Sequence, residues 1–111
     1  MPNERPWTVV GIATTVASLE NCTKISVGDV WMMLPREVAD DLLRAGMLSV
    51  SWSTETHNLA TLISFNGIVY RTDTHCCLVS CGGIIVRLPS PLENSTHVRI
   101  DVSTTRLRRR V

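Results

Sequence analysis

Residues 59 to 88 read LATLISFNGIVYRTDTHCCLVSCGGIIVRL. Two glycine-containing dipeptides, Asn66-Gly67 and Gly82-Gly83, interrupt apolar runs rich in β-branched residues. Such pairs supply the positive φ values of two-residue hairpin turns. The stretch therefore predicts two successive hairpins. In the first, Leu59 to Phe65 pairs with Ile68 to Thr72, which sets Phe65 opposite Ile68 and Ile63 opposite Tyr70. In the second, His75 to Cys81 pairs with Ile84 to Leu88, and Pro89 and Pro91 end the run because proline has no ladder donor.

Working outward, Leu48, Val50 and Trp52 alternate with Ser49, Ser51 and Ser53, and Val98, Ile100 and Val102 alternate with Arg99, Asp101 and Ser103. A period of two marks strands with one buried and one solvated face. Upstream, Trp7 to Ala17 and Ile25 to Leu34 read as strands, with a bulge at Gly11 and a turn at Gly28-Asp29. One helix is predicted, residues 35–45. Pro35 suits its first position and Gly46 the residue after its last turn. Val38, Ala39, Leu42 and Leu43 share a face, and Asp40 and Arg44 are spaced as an i, i+4 pair.

The order is two or three strands, one helix, then about six strands. This is an α+β class, predominantly antiparallel β. It predicts a meander of two-residue hairpins forming a sandwich or partly open barrel with a single packed helix. A doubly wound α/β fold is excluded because the parallel crossovers have no helices to make them.

Of the 111 residues, 44% are hydrophobic and 19% charged, a balance that folds rather than stays disordered. The length suits one core, so residues 1–105 read as a single β-rich domain followed by a basic tail, residues 106–111. No apolar run reaches the roughly 20 residues that cross a bilayer as a helix. The segment from Trp7 to Ala17 is too diluted by threonine and glycine for a secretory signal, which predicts an intracellular protein. Cys22, Cys76, Cys77 and Cys81, with glycosylation patterns at Asn21 and Asn94, carry the alternative of a secreted one. The net charge of +1 is unevenly spread: residues 1–105 hold seven basic against ten acidic side chains, and Arg106, Arg108, Arg109 and Arg110 supply the balance.

The densest set of metal-ligand types is His75, Cys76, Cys77 and Cys81. Alternation places His75, Cys77 and Cys81 on one strand face, with Cys22 or His97 as a fourth ligand. The spacing contains no C-x-x-C, and buried cysteine in a core accounts for the same residues. Cys81-Gly82-Gly83 resembles the nucleophile loop of chymotrypsin-like viral cysteine proteases over those three residues. That fold takes two β-barrels, for which this chain is too short, and Val79 stands where its glycine falls. No nucleotide-binding or hydrolase motif is present, so neither a catalytic residue, a cofactor nor a small-molecule substrate is assigned. The aromatic residues are Trp7, Trp31, Trp52, Phe65 and Tyr70. Their patterns point mostly toward the core, and Tyr70-Arg71 comes nearest to a base-stacking site.

These features predict a non-enzymatic structural or adaptor protein with the profile of a viral matrix-like or accessory protein. It would pair with itself and contact RNA or an anionic membrane through Arg106, Arg108, Arg109 and Arg110. A nucleic-acid-binding module is the second reading. A small hydrolase or metal-dependent enzyme using the His75 to Cys81 region is the third.

Overall fold

The computed structural model describes residues 7–55 and 62–105. Nine strands and one helix lie in the order β1 (Trp7–Ile12), β2 (Thr14–Ser18), β3 (Cys22–Val27), β4 (Val30–Pro35), α1 (Arg36–Ala45), β5 (Met47–Ser53), β6 (Ile63–Thr72), β7 (Cys77–Cys81), β8 (Ile84–Leu88) and β9 (His97–Thr104). All strands join one antiparallel sheet in the order β1-β5-β9-β6-β7-β8-β4-β3-β2. The predicted α+β class with one packed helix is the observed one.

The sheet curls because its two ends belong to one bent strand. β1 pairs with β5 and β2 with β3, and the single residue between them, Ala13, is the corner. Its amide donates to the Gly46 carbonyl at 2.7 Å. This draws the two ends of the sheet together into a nearly closed barrel. Gly11 makes the close approach, since a Cβ there would lie 2.7 Å from the Gly28 amide nitrogen. The glycine serves packing between β1 and the β3–β4 turn, not the bulge that the sequence suggested. The bulge lies instead in β2, between Thr15 and Ala17.

Local turn chemistry sets two hairpins as expected. Gly28 at φ +58 opens the two-residue β3–β4 turn, and Gly82 and Gly83, at φ +59 and +92, form the β7–β8 turn. A β-carbon makes these values costly for other residues.

Asn66-Gly67 does not turn. β6 runs unbroken from Ile63 to Thr72, Phe65 pairs with Ile100 of β9, and Ile63 pairs with Val102. Gly67 is absent from the residues with positive φ. It lies on the inner face, where a β-carbon would come within 2.5 Å of Cys81 Sγ and 2.6 Å of both Ser80 O and Val79 Cγ1. Long-range pairing to β9 and β7 thus overrides the local turn preference, and the glycine permits a tight approach of strands.

α1 begins at Arg36, with Pro35 as its extended N-cap (φ −53, ψ 146) rather than its first helical residue. Gly46 ends it, at φ 77 with its amide bonded to the Leu42 carbonyl. Ala39 and Leu42 are buried where the helix packs on β3 and β4. Arg44 pairs with Asp41, one residue nearer than the Asp40 partner expected from spacing. The Arg36 guanidinium donates to the carbonyls of Leu19 (2.6 Å) and Glu20 (3.3 Å), which ties the helix start to the β2–β3 turn.

Inside the curl, Ile25, Met32, Leu48, Val50, Val79, Val86, Leu88 and Ile100 are fully buried. At about 25 cal/mol per Å² of apolar surface, this burial is the dominant favourable term in folding. The serine-faced strand, β5, lies between β1 and β9, so its backbone is already paired on both sides. The open edges are β1 and β2.

Candidate functional site

The outer face of the sheet divides by chemistry. On β1, β5, β9 and β6 the outward side chains mix hydroxyls, Thr8, Ser49, Ser51, Ser64 and Ser103, with exposed apolar ones, Val10, Ile12, Met47, Ile68 and Tyr70, while Asp101, expected on the solvated face, is buried. Hydroxyls there bond across strands, as Thr8 Oγ1 and Ser51 Oγ do at 3.1 Å. Arg99 and Asp101 satisfy each other at 3.1 Å.

The other half is cationic and carries a ring. Along β3, Thr23, Ile25 and Val27 are buried, which leaves Lys24 and Ser26 outward; along β4, Val30, Met32 and Leu34 are buried, which leaves Trp31 and Met33 outward. On β8, Val86 and Leu88 point in, and Ile85 and Arg87 out. Register then lines up one row, Ser26 with Trp31, Trp31 with Arg87, Arg87 with Leu78 and Leu78 with Arg71. The five strands are about 4.8 Å apart, so the row spans about 19 Å.

Lys24 Nζ lies over the Trp31 ring, 3.9 Å from its centroid. Trp31, Arg71, Asp73, Cys76 and Arg87 border a shallow depression of about 270 Å³. Among the described residues the ion pairs are Arg44–Asp41 and Arg99–Asp101, so Lys24, Arg71 and Arg87 have no carboxylate partner there. Free guanidinium forks bind phosphate oxygens in bidentate fashion. The cation–π contact contributes about 0.5–1 kcal/mol at a half-exposed site. A nucleobase stacked on an aromatic ring contributes about 1–3 kcal/mol. A flat ligand can therefore displace the ammonium from the ring and leave it free for an anion.

The residues predicted as ligands are not brought together. Cys77 and Cys81 do share the inner face of β7 and are 1% and 7% exposed, but four residues along a strand separate them by about 13 Å. His75 is exposed and precedes the strand, in the β6–β7 turn with Cys76. Among the described residues no group of three or more His, Cys, Asp or Glu is placed to hold a metal ion. Burial pushes the Cys81 thiol up to about 11 and raises Cys77 as well, which opposes the thiolate that metal binding or nucleophilic attack requires. Arg106, Arg108, Arg109 and Arg110 lie outside the described residues.

Of the aromatic residues, Trp52 and Phe65 are core, as expected. Trp7 is 64% exposed and Trp31 is half-buried on the outer face, contrary to the core placement read from their patterns, while Tyr70, singled out with Arg71 as the nearest to a stacking site, is 47% exposed. The β3, β4 and β8 alternations were signals that point Lys24, Trp31 and Arg87 outward. That β4 and β8 are neighbours is a tertiary fact with no local mark.

No protein-family model and no curated protein matches the chain. What defines its class is the geometry: a nearly closed antiparallel sheet with one helix, with Lys24, Trp31, Arg87 and Arg71 gathered on the outer face of one half.

Proposed function

We propose that the chain is a small, non-enzymatic adaptor that holds an anionic, phosphate-bearing partner on the outer face of β3, β4, β8, β7 and β6 and associates with itself through its sheet edges. The observation that carries this reading is the gathering of Lys24, Arg71 and Arg87, none in an ion pair with a described residue, on one face of a body whose residues 1–105 sum to −3. Positive charge placed against the net sign of the body is a site for an anion rather than a general solubilising shell. Arg106, Arg108, Arg109 and Arg110 add to it in sequence and supply a second set of phosphate contacts.

Titration with inorganic polyphosphate tests this. The full chain is expected to bind with an affinity that falls steeply as salt rises. The double variant Arg71→Ala/Arg87→Ala should bind more weakly and with a flatter salt dependence, and replacing the four tail arginines with alanine should lower both further. Parent-like binding by the double variant would remove the face from the account. No binding by the parent would remove the anionic partner altogether.

A further inference from the structure

From the Trp31 row we infer that the partner is a single-stranded nucleic acid, with an unpaired base stacked on the Trp31 indole and the flanking phosphates held by Lys24, Arg87 and Arg71. The inference rests on the anion-binding reading above and names its ligand. A bare polyanion needs cations alone and leaves the ring unexplained. Here the ring sits within the row of cations: Lys24 lies over it at 3.9 Å, and Arg87 is its register partner on β8. Arg71 closes the row two strands beyond Arg87, with half-buried Leu78 between them. An aromatic platform with flanking positive charge on a sheet surface is the arrangement by which single strands are held without sequence readout.

Two competing ligands fit less well. In a duplex the bases are stacked on one another and offer the ring nothing. A ring that inserts into a membrane stands clear of the protein surface, whereas Trp31 is half-buried between its register partners Ser26 on β3 and Arg87 on β8, with Lys24 over its face.

The test is a binding titration of the full chain with a single-stranded RNA of about ten nucleotides, within the length such surfaces cover. Matched duplex RNA, inorganic polyphosphate and vesicles rich in phosphatidylserine serve as alternative ligands. Trp31→Ala is expected to weaken single-strand binding about tenfold or more while leaving the salt slope unchanged, because it removes stacking and no charge. Arg87→Ala and Arg71→Ala should each lower the slope by about 0.7. Trp31→Phe keeps a stacking ring and should recover most of the affinity. In the parent, RNA should quench an emission component that Trp31→Phe lacks, which separates Trp31 from Trp7 and Trp52 and holds even if Trp31→Ala folds poorly.

Equal binding by parent and Trp31→Ala, or duplex bound as tightly as single strand, would overturn the inference. Vesicles or polyphosphate bound in preference to RNA would overturn it too while leaving the anionic adaptor standing. Binding of none of the four would remove both.

Discussion

Gly67 shows how a single residue can carry two opposed meanings. Beside Asn66 it has the composition of a tight turn, yet it lies mid-strand with no room for a methyl group. Gly67→Ala is therefore expected to destabilise the protein by about 1–3 kcal/mol through overpacking against Cys81, Ser80 and Val79. Were the glycine in a solvent-exposed turn, the cost would come from its φ, and nearby core substitutions would not alter it. Combining Gly67→Ala with Val79→Ala should thus recover part of the loss, measured as non-additivity in denaturant unfolding. Strictly additive effects would contradict the close approach. The same residue marks the limit of the sequence: turn propensity is local, and the pairing of β6 with β9 that defeats it links segments about thirty to forty residues apart.

Strand alternation was the most legible signal at the level of elements. Val98, Ile100 and Val102, and Leu48, Val50 and Trp52, face inward as their period of two demands, and α1 has nearly its predicted bounds. Edges were not legible, because an edge is defined by what a strand lacks as a neighbour. β5, with its serine face, is internal, and β1 and β2 are the open strands. Neither Trp7–Ile12 nor Thr14–Ser18 carries a charged residue, the usual guard against edge pairing. Ile12 and Val16 are 62% and 53% exposed, and Met47 on β5 lies beside Ile12. A second copy of the chain is the occupant these edges suit, and a two-fold pairing would satisfy both copies alike. Light scattering across a concentration series should show a mass that rises toward a dimer or larger, and Ile12→Lys with Val16→Lys should restore the monomer. A monomer mass at every concentration would rule out self-association.

Taken whole, the molecule has an apolar interior, an outer half where hydroxyls and exposed apolar side chains mix, and an outer half where three cations surround a ring. The candidate site was only partly readable for the same reason as the edges. Lys24, Trp31, Arg71 and Arg87 are scattered through the chain and meet because β4 lies beside β8. The cysteines between residues 76 and 81 are adjacent in sequence, yet strand spacing separates Cys77 from Cys81 and burial pushes both thiols up. Function on this account belongs to a surface assembled by topology, so the direct test is to see which residues a ligand perturbs. Amide NMR spectra recorded during titration with single-stranded RNA should shift at Lys24, Trp31, Leu78, Arg87 and Arg71, and leave Ser49, Ser51 and Ser103 in place. Shifts confined to residues 106–111, or falling on β5 and β9, would contradict it.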